Sequence, residues 1–561
     1  MALPPIKQPL FLNRKICGVM IPLFSVRSET GFGIGEILDL IPLIDWMAER
    51  HLHLLQILPF YEMSPHETSP YQALSGFALD PIYLSLLAWD DFKQSAAAQK
   101  VFASPEVQKE LGRLRANTDV LYEAIRPLKE PLFEAAFQHF LEEEWKKESP
   151  RADAFRRFMA EQSGWLNDYA LFRLLKEKNG WSHWNDWPEP FRDRDAAALK
   201  EFERQEEGRL LLFKYLQWAV WEQWKTVLEE ARRKNVLIMG DLPFLVSRDS
   251  ADLWSRRHAF SAVESVGAPP DMFNARGQDW GLPLFLWKVM EEERFLWWRL
   301  RIGQARSLFH LIRLDHVVGF YRVWVMPRQG APFFEPPQEE EQIRRGTELL
   351  NAIVEESGGE NGELIPVAED LGVIPDFVRE SLRQFGIAGH KIFRWEKEGL
   401  QYRDPRDYPF VSLATTGTHD TSTIVQWWES LPSEERSTFL AMLDERREIP
   451  PDEPFSDRLH RTILERLIAG GSGLVVFPIQ DILGLPDQIN IPATVGPHNW
   501  RFRLTIQVDQ LNHLSPFREK LATLQSLIDR HHRYAGSEPL FNGLDRPVPD
   551  KSLDKPGSRS L

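Results

Sequence analysis

Three carboxylates, Asp315, Glu369 and Asp420, each stand at the end of a short apolar run, and two of them have a basic neighbour. In Arg313-Leu314-Asp315-His316 the extended-chain alternation puts Arg313 and Asp315 on one face and Leu314 on the other. A guanidinium beside a carboxylate favours its charged form, which is what a nucleophile at a sugar carbon needs. In Ala368-Glu369-Asp370 two adjacent like charges raise the pKa of one of them. A carboxyl that keeps its proton at neutral pH can donate to a departing glycosidic oxygen and later activate an incoming hydroxyl. The third site, Thr416-Gly417-Thr418-His419-Asp420-Thr421, adds an aspartate with a histidine beside it.

Each motif taken singly has a structural alternative. Arg313 and Asp315 can form a buried ion pair between strands. Glu369 and Asp370 can cap the helix expected in "IPDFVRESLRQFG", and Asp420 or Thr421 can be the N-cap of a helix over Ile424 to Trp428. Recurrence is what separates these readings. Three strand ends in chain order present Asp, Glu and Asp, and carboxylates paired across a scissile bond serve glycosyl transfer.

Eight short apolar runs supply the strand ends: Ile16 to Leu23, Leu52 to Leu58, Val236 to Leu242, Phe309 to Leu314, Leu364 to Ala368, Lys391 to Phe393, Val411 to Ala414 and Gly473 to Pro478. Continuous rather than alternating apolar character marks parallel strands covered on both faces. Amphipathic stretches such as Ile37 to Arg50 and Gln217 to Arg233 lie between them. The order predicts an α/β fold, a (β/α)8 TIM barrel whose reactive groups follow the strands. No separate C-terminal β-sandwich is expected. The division expected is residues 1–91 for the first part of the barrel and 92–210 for a charge-rich helical insertion, too long for a barrel connection. Residues 211–535 complete the barrel, with a short helical insertion near 336–360, and the Pro/Gly/Ser-rich tail 536–561 is expected to be disordered.

Composition narrows the partners. With 67 Lys plus Arg against 82 Asp plus Glu, the formal net charge of -15 repels nucleic acid and anionic membranes, so a neutral ligand is favoured. The apolar run at Ile16 is interrupted by Gly18 and Pro22 and is too short to span a bilayer. The one cysteine, Cys17, allows no intrachain disulfide, which points to a reducing, cytoplasmic setting. Twenty Trp could stack on flat neutral rings, although Trp218, Trp221 and Trp224 have the spacing of a packed helix face. Gly31, Gly33 and Gly35 lack the last spacing of a dinucleotide fingerprint, and no Cys/His cluster has metal-ligand spacing, so no cofactor or metal is expected.

The segments "RLDHVVGF", "VAEDLG" and "TGTHDT" resemble the active-site segments of the α-amylase clan, specifically the amylomaltases, the 4-α-glucanotransferases of glycoside hydrolase family 77. The likeness extends to "GFGIGEILDL", "QILPFYEMSPHETSPYQALSGFALDPIYL", "GAPPDMFNARGQDWGLPLFLW" and "RFRL", from about residue 16 to about residue 505. It implies Asp315 as nucleophile, Glu369 as general acid and base, and Asp420 as stabiliser of the transition state, with Arg313 and His419 holding the donor sugar. By the same resemblance Tyr71 stacks at the cleavage point, and Ser69, Asp271, Gln278, Trp280, Asp370 and Asn490 line donor and acceptor sites. Bland alternatives remain: Tyr71 as core filler, Trp280 as loop anchor, Asp271 as a turn residue after two prolines.

The implied activity is transfer of α-1,4-glucan segments to the 4-hydroxyl of a glucan or glucose, with α-glucans and maltooligosaccharides as partners. An α-glucan hydrolase of the amylase clan is the alternative, and a catalytically silent glucan-binding protein would be expected to have lost a carboxylate. Two departures border the cleft in family terms. Ala493 stands in Pro492-Ala493-Thr494 where the family has Gly, and Val318 stands where an Arg is common. The place where many amylases bind calcium reads Asp241-Leu242-Pro243-Phe244, so calcium is not implied.

Overall fold

The computed structural model describes residues 12–270, 277–358, 364–444, 448–534 and 540. Asp271 and, apart from Leu540, the tail 536–561 therefore lie outside the described residues. Fourteen strands are described, in chain order: β1 (Ile16–Met20), β2 (Leu54–Gln56), β3 (Leu237–Leu242), β4 (Phe260–Ala268), β5 (Gln278–Phe285), β6 (Leu311–Leu314), β7 (Val323–Met326), β8 (Phe333–Glu335), β9 (Ile365–Ala368), β10 (Ala388–Ile392), β11 (Lys397–Glu398), β12 (Gln401–Tyr402), β13 (Ser412–Thr415) and β14 (Leu474–Pro478).

Eight of them close a parallel barrel in the order β1-β14-β13-β10-β9-β6-β3-β2. Each contains or overlaps one of the apolar runs of the sequence, and β1, β2, β3, β6, β9, β13 and β14 are buried along their whole length. Burial on both faces explains the continuous apolar character. Register carries the chemistry: Asp241 of β3 pairs with Arg313 of β6, and Leu314 of β6 pairs with Ala368 of β9. One step beyond that last pair, Asp315 and Glu369 leave the barrel as neighbours, with the Glu369 amide donating to the Leu314 carbonyl at 3.0 Å.

Between β2 and β3 the chain forms a run of helices, among them Pro105–Ala116, Tyr122–Phe140, Pro150–Glu161 and Leu166–Lys178, ending in the 27-residue helix Glu207–Arg233. Ser104 and Ser149 cap two of them, each followed by a proline at the first helical position, where its missing N–H costs nothing. The long helix supports the loop after β2 that carries Tyr71. Gln217 exchanges two hydrogen bonds with the Leu79 backbone, and Gln223 does the same with Ser85. Trp218 and Trp224 on this helix are buried, and the Trp224 indole donates to the Leu308 carbonyl at 2.8 Å.

A second sheet, antiparallel and four-stranded in the order β5-β4-β7-β8, stands beside the barrel. It brings Gln278 and Trp280 in on β5. The strands approach closely there because Gly267 faces Gln278: a Cβ on Gly267 would lie 1.9 Å from the Gln278 carbonyl oxygen. From β8 the helix Glu339–Glu356 leads to β9. Among the described residues no helix is long and apolar enough to cross a membrane.

Gly346, inside that helix, sits against Tyr321 at the end of the turn after β6, and a Cβ there would come within 2.1 Å of the Tyr321 ring. Alanine in place of a helical glycine gains about 1 kcal/mol of propensity, whereas overpacking typically costs about 1–3 kcal/mol. Gly346→Ala is accordingly expected to lower stability by about 1 kcal/mol or more, measurable as a lower Tm. An unchanged or higher Tm would show that the turn after β6 is loosely held.

Candidate active site

The polar cluster at the C-terminal mouth of the barrel is built around one guanidinium. Arg313, almost fully buried, donates through Nη1 to Asp241 Oδ1 and Oδ2 at 2.8 and 2.9 Å and to Asp315 Oδ1 at 2.8 Å. Tyr71 donates its hydroxyl to Asp241 Oδ2 as well, at 2.8 Å. Asp241 is wholly buried, so burial raises its carboxyl, opposed by Arg313 and reinforced by Asp315. Burial would lower the guanidinium, but Asp241 and Asp315 hold its pKa well above the ordinary value. Arg313 thus stays a cation between two carboxylates, and the Asp315 side chain, 24% exposed, is the one of the two that a ligand can reach.

Glu369 stands beside Asp315. It accepts the His316 amide at Oε2 (2.8 Å) and the Leu371 amide at Oε1 (3.0 Å). Burial pushes its carboxyl up to about 7, with Arg313 working against and Asp315 with the shift. Asp420 follows β13 and behaves oppositely. Its side chain is 44% exposed, and the desolvation that would raise it is outweighed: His419, whose Nε2 lies 3.3 Å from Oδ2, and the Asn490 amide at 2.6 Å bring it below the ordinary carboxylate range. Near neutral pH the site therefore offers one carboxyl that exchanges its proton and one carboxylate that remains charged, the division of labour glycosyl transfer requires.

The helix-capping alternatives fail on geometry. The helix after β13, Ile424–Ser430, is capped by Thr423, whose hydroxyl accepts from the Gln426 amide while the Gln426 side chain returns to the Thr423 amide. That leaves Asp420 free of the capping role. The helix Asp376–Phe385 begins after Pro375, away from Glu369 and Asp370. The ion-pair alternative for Arg313 and Asp315 is present in the structure, with Asp241 as a second partner. It coexists with a site role, because the pair lies at the barrel mouth.

Aromatic and amide groups surround the carboxylates. The Tyr71 ring stacks on His419 at 5.3 Å and leans on Trp500 at 5.7 Å. Trp280 meets His316 edge-on at 4.8 Å and donates its indole N–H to Gln278 Oε1 at 3.1 Å. Ser69 opens the turn that contains Tyr71, its carbonyl accepting from the Gln72 amide at 3.0 Å. Asp370 points elsewhere: it accepts the His390 amide at 2.7 Å and faces Arg379 at 3.6 Å, so its hydrogen bonds do not join the cluster. Val318 lies in the short helical turn after Asp315, and Ala493 occupies a left-handed backbone position, φ 59°, in the loop that carries Asn490. Among the described residues no group of His, Cys, Asp or Glu is placed to hold a metal ion.

Asp241 and Trp500 are site residues that the sequence reading did not single out. Asp241 had a signal: like Arg313, it is a charged residue inside an apolar strand, where it requires a partner.

A family model for 4-alpha-glucanotransferases, glycoside hydrolase family 77, matches residues 21–508. The chain belongs to this family. A 4-alpha-glucanotransferase of Chlamydia muridarum is 34% identical over 522 residues, covering 90% of this chain and 94% of the relative. The chloroplastic/amyloplastic 4-alpha-glucanotransferase of Solanum tuberosum is 31% identical, covering 91% and 86%. An amylomaltase from Streptococcus agalactiae, solved in complex with acarbose, superposes with a TM-score of 0.77 at 25% identity, covering 93% of this chain and all of that one. The chain is accordingly a glucan-transferring enzyme on a (β/α)8 barrel.

Glu369 in this glucanotransferase has a folded-state pKa raised above its unfolded value, so it binds more protons folded than unfolded between about pH 4.5 and 7. Its contribution to stability is full below that window and lost as pH rises through it. Glu369→Gln, neutral at every pH, is expected to raise Tm relative to the parent at pH 8 and to change it little at pH 4. An equal effect at both pH values would show that the carboxyl is not held near 7.

Proposed function

We infer that this glucanotransferase works by a retaining double displacement through a covalent glycosyl-enzyme. Glu369 gives its proton to the glycosidic oxygen of the donor as the bond from the anomeric carbon to that oxygen breaks. Asp315 forms a β-linked ester with the same carbon. The 4-hydroxyl of an incoming glucan or glucose then loses its proton to Glu369 and attacks the anomeric carbon as its bond to the Asp315 oxygen breaks, releasing the carboxylate and restoring the α configuration. Asp420, kept charged, stabilises the oxocarbenium-like transition states. Arg313 and His419 hold the donor sugar, and Ser69, Tyr71, Asp271, Gln278, Trp280 and Asn490 complete donor and acceptor sites, while Asp370, turned to His390 and Arg379, is left out of them.

The observation that carries this reading is the opposed setting of Glu369, pushed up to about 7, and Asp420, held below the ordinary range, together with an Asp315 bound by Arg313. Maltooligosaccharides and longer α-1,4-glucans are the proposed donors, and the cytoplasm is the proposed setting, in keeping with the single free, buried Cys17.

Purified enzyme given maltotriose as sole substrate is expected to yield a ladder of longer oligosaccharides together with free glucose. Glucose and maltose without longer products would mark a hydrolase, and an absence of turnover would remove the enzymatic reading. Trp280→Ala, which removes an aromatic platform worth about 1 kcal/mol, is expected to raise the hydrolysis-to-transfer ratio roughly fivefold. An unchanged ratio would take Trp280 out of the acceptor site.

A further inference from the structure

His316, directly after Asp315, has φ 48° and ψ 52°, the left-handed region that L side chains rarely adopt. Histidine enters it more readily than most residues, and Asn and Gly more readily still. The turn that follows is tightly held. The Gly319 amide donates to the His316 carbonyl at 2.8 Å, and a Cβ on Gly319 would meet Phe244 at 2.7 Å and the His316 ring at 2.9 Å.

The consequence is where the backbone N–H groups point. The His316 amide donates to Glu369 Oε2 at 2.8 Å, and the next amide, Val317, donates to the Glu369 carbonyl oxygen at 3.2 Å. Two consecutive amides of the turn after β6 thus grip the side chain and the main chain of one residue after β9. We propose that the left-handed backbone at His316 is a positioning device for the reaction, coupling the nucleophile's strand to the acid–base carboxyl by aiming a main-chain N–H at Glu369. His316 is a positioning residue in this role: its backbone acts through Glu369, independently of what its ring contacts. The proposal rests on the acid–base reading of Glu369 given above.

A hydrogen bond to the charged form of a carboxyl lowers its pKa, so removing this one raises it. The other groups facing Glu369 stay in place. Arg313 and Asp315 face it from β6, with Asp241 of β3 behind Arg313, and the Leu371 amide comes from its own loop. From β10, His390 bonds the adjacent Ala368 carbonyl, and Lys391, together with Arg379 of the helix Asp376–Phe385, bears on Asp370 instead.

The test compares the basic limb of kcat/KM against pH, with maltotriose as donor, in His316→Gly, His316→Asn and His316→Val. All three remove the imidazole, but only the first two suit a left-handed backbone. In the parent the limb is expected near pH 7, because Glu369 must be protonated to act and loses its proton as pH rises. The Gly and Asn variants should keep that limb, whereas the Val variant should move it up by about one unit and lower kcat about tenfold or more. Should the Val variant not fold, as judged by circular dichroism, replacing the 315–316 amide by an ester removes only the N–H and keeps the ring. That ester should move the limb upward as well. Limbs that coincide in all the variants, in the ester, or in Gly and Val alike would overturn the proposal. A limb that survives in Glu369→Gln would overturn the acid–base reading and the proposal with it, and its loss there ties the limb to Glu369.

Discussion

Arg313 holds Asp241 and Asp315 at once, and the rest of the site is arranged around that contact. Taking a guanidinium and two carboxylates out of water costs several kcal/mol per ion, and the mutual attraction recovers this only with near-ideal geometry. Such a cluster is a poor way to stabilise a barrel. Its effect is chemical: it holds the Asp315 carboxylate at the barrel mouth beside Glu369, which burial keeps from ionising readily while Arg313 works against that shift and Asp315 with it. Parallel register supplies the geometry, because Asp241 is opposite Arg313 across β3 and β6, and Asp315 and Glu369 leave β6 and β9 side by side.

The supporting elements can be understood from the same requirement. The long helix Glu207–Arg233 completes the backbone hydrogen bonds of the loop after β2, and that loop delivers Tyr71 to Asp241. The side sheet delivers Trp280 against His316. Capping of the helix after β13 by Thr423 leaves the Asp420 side chain to His419 and Asn490. Each neighbour removes a structural duty from a carboxylate or sets its charge.

The barrel was legible because seven of its eight strands fall on apolar runs with polar groups just beyond them, a pattern that parallel strands covered on both faces impose, while β10, with His390 and Lys391 inside it, only overlaps such a run. Asp315, Glu369 and Asp420 were legible from their places at strand ends, and Thr423 with Gln426 at the spacing of a capping box could have removed the N-cap alternative for Asp420 at once. The side sheet was not legible: β4 and β5 mix glycine, proline and charge, and their pairing has register shifts, so neither a period of two nor a continuous apolar run appears. Asp241 went unread because its partner lies 72 residues away, and only the register brings the two together. The contacts of Asp370 depend in the same way on its neighbour β10 rather than on its adjacency to Glu369.

The central claim is that Asp315 becomes covalently bonded to sugar while Glu369 governs its formation and release. An α-glycosyl fluoride of maltose has a leaving group that needs no proton, so Glu369→Gln should form the glycosyl-enzyme from it and discharge it slowly. Mass spectrometry of the rapidly quenched and digested variant should then find a maltosyl adduct on the peptide containing Asp315. An adduct on Asp241 or Asp420, or a stoichiometric burst of fluoride with no adduct on Asp315, would contradict the account.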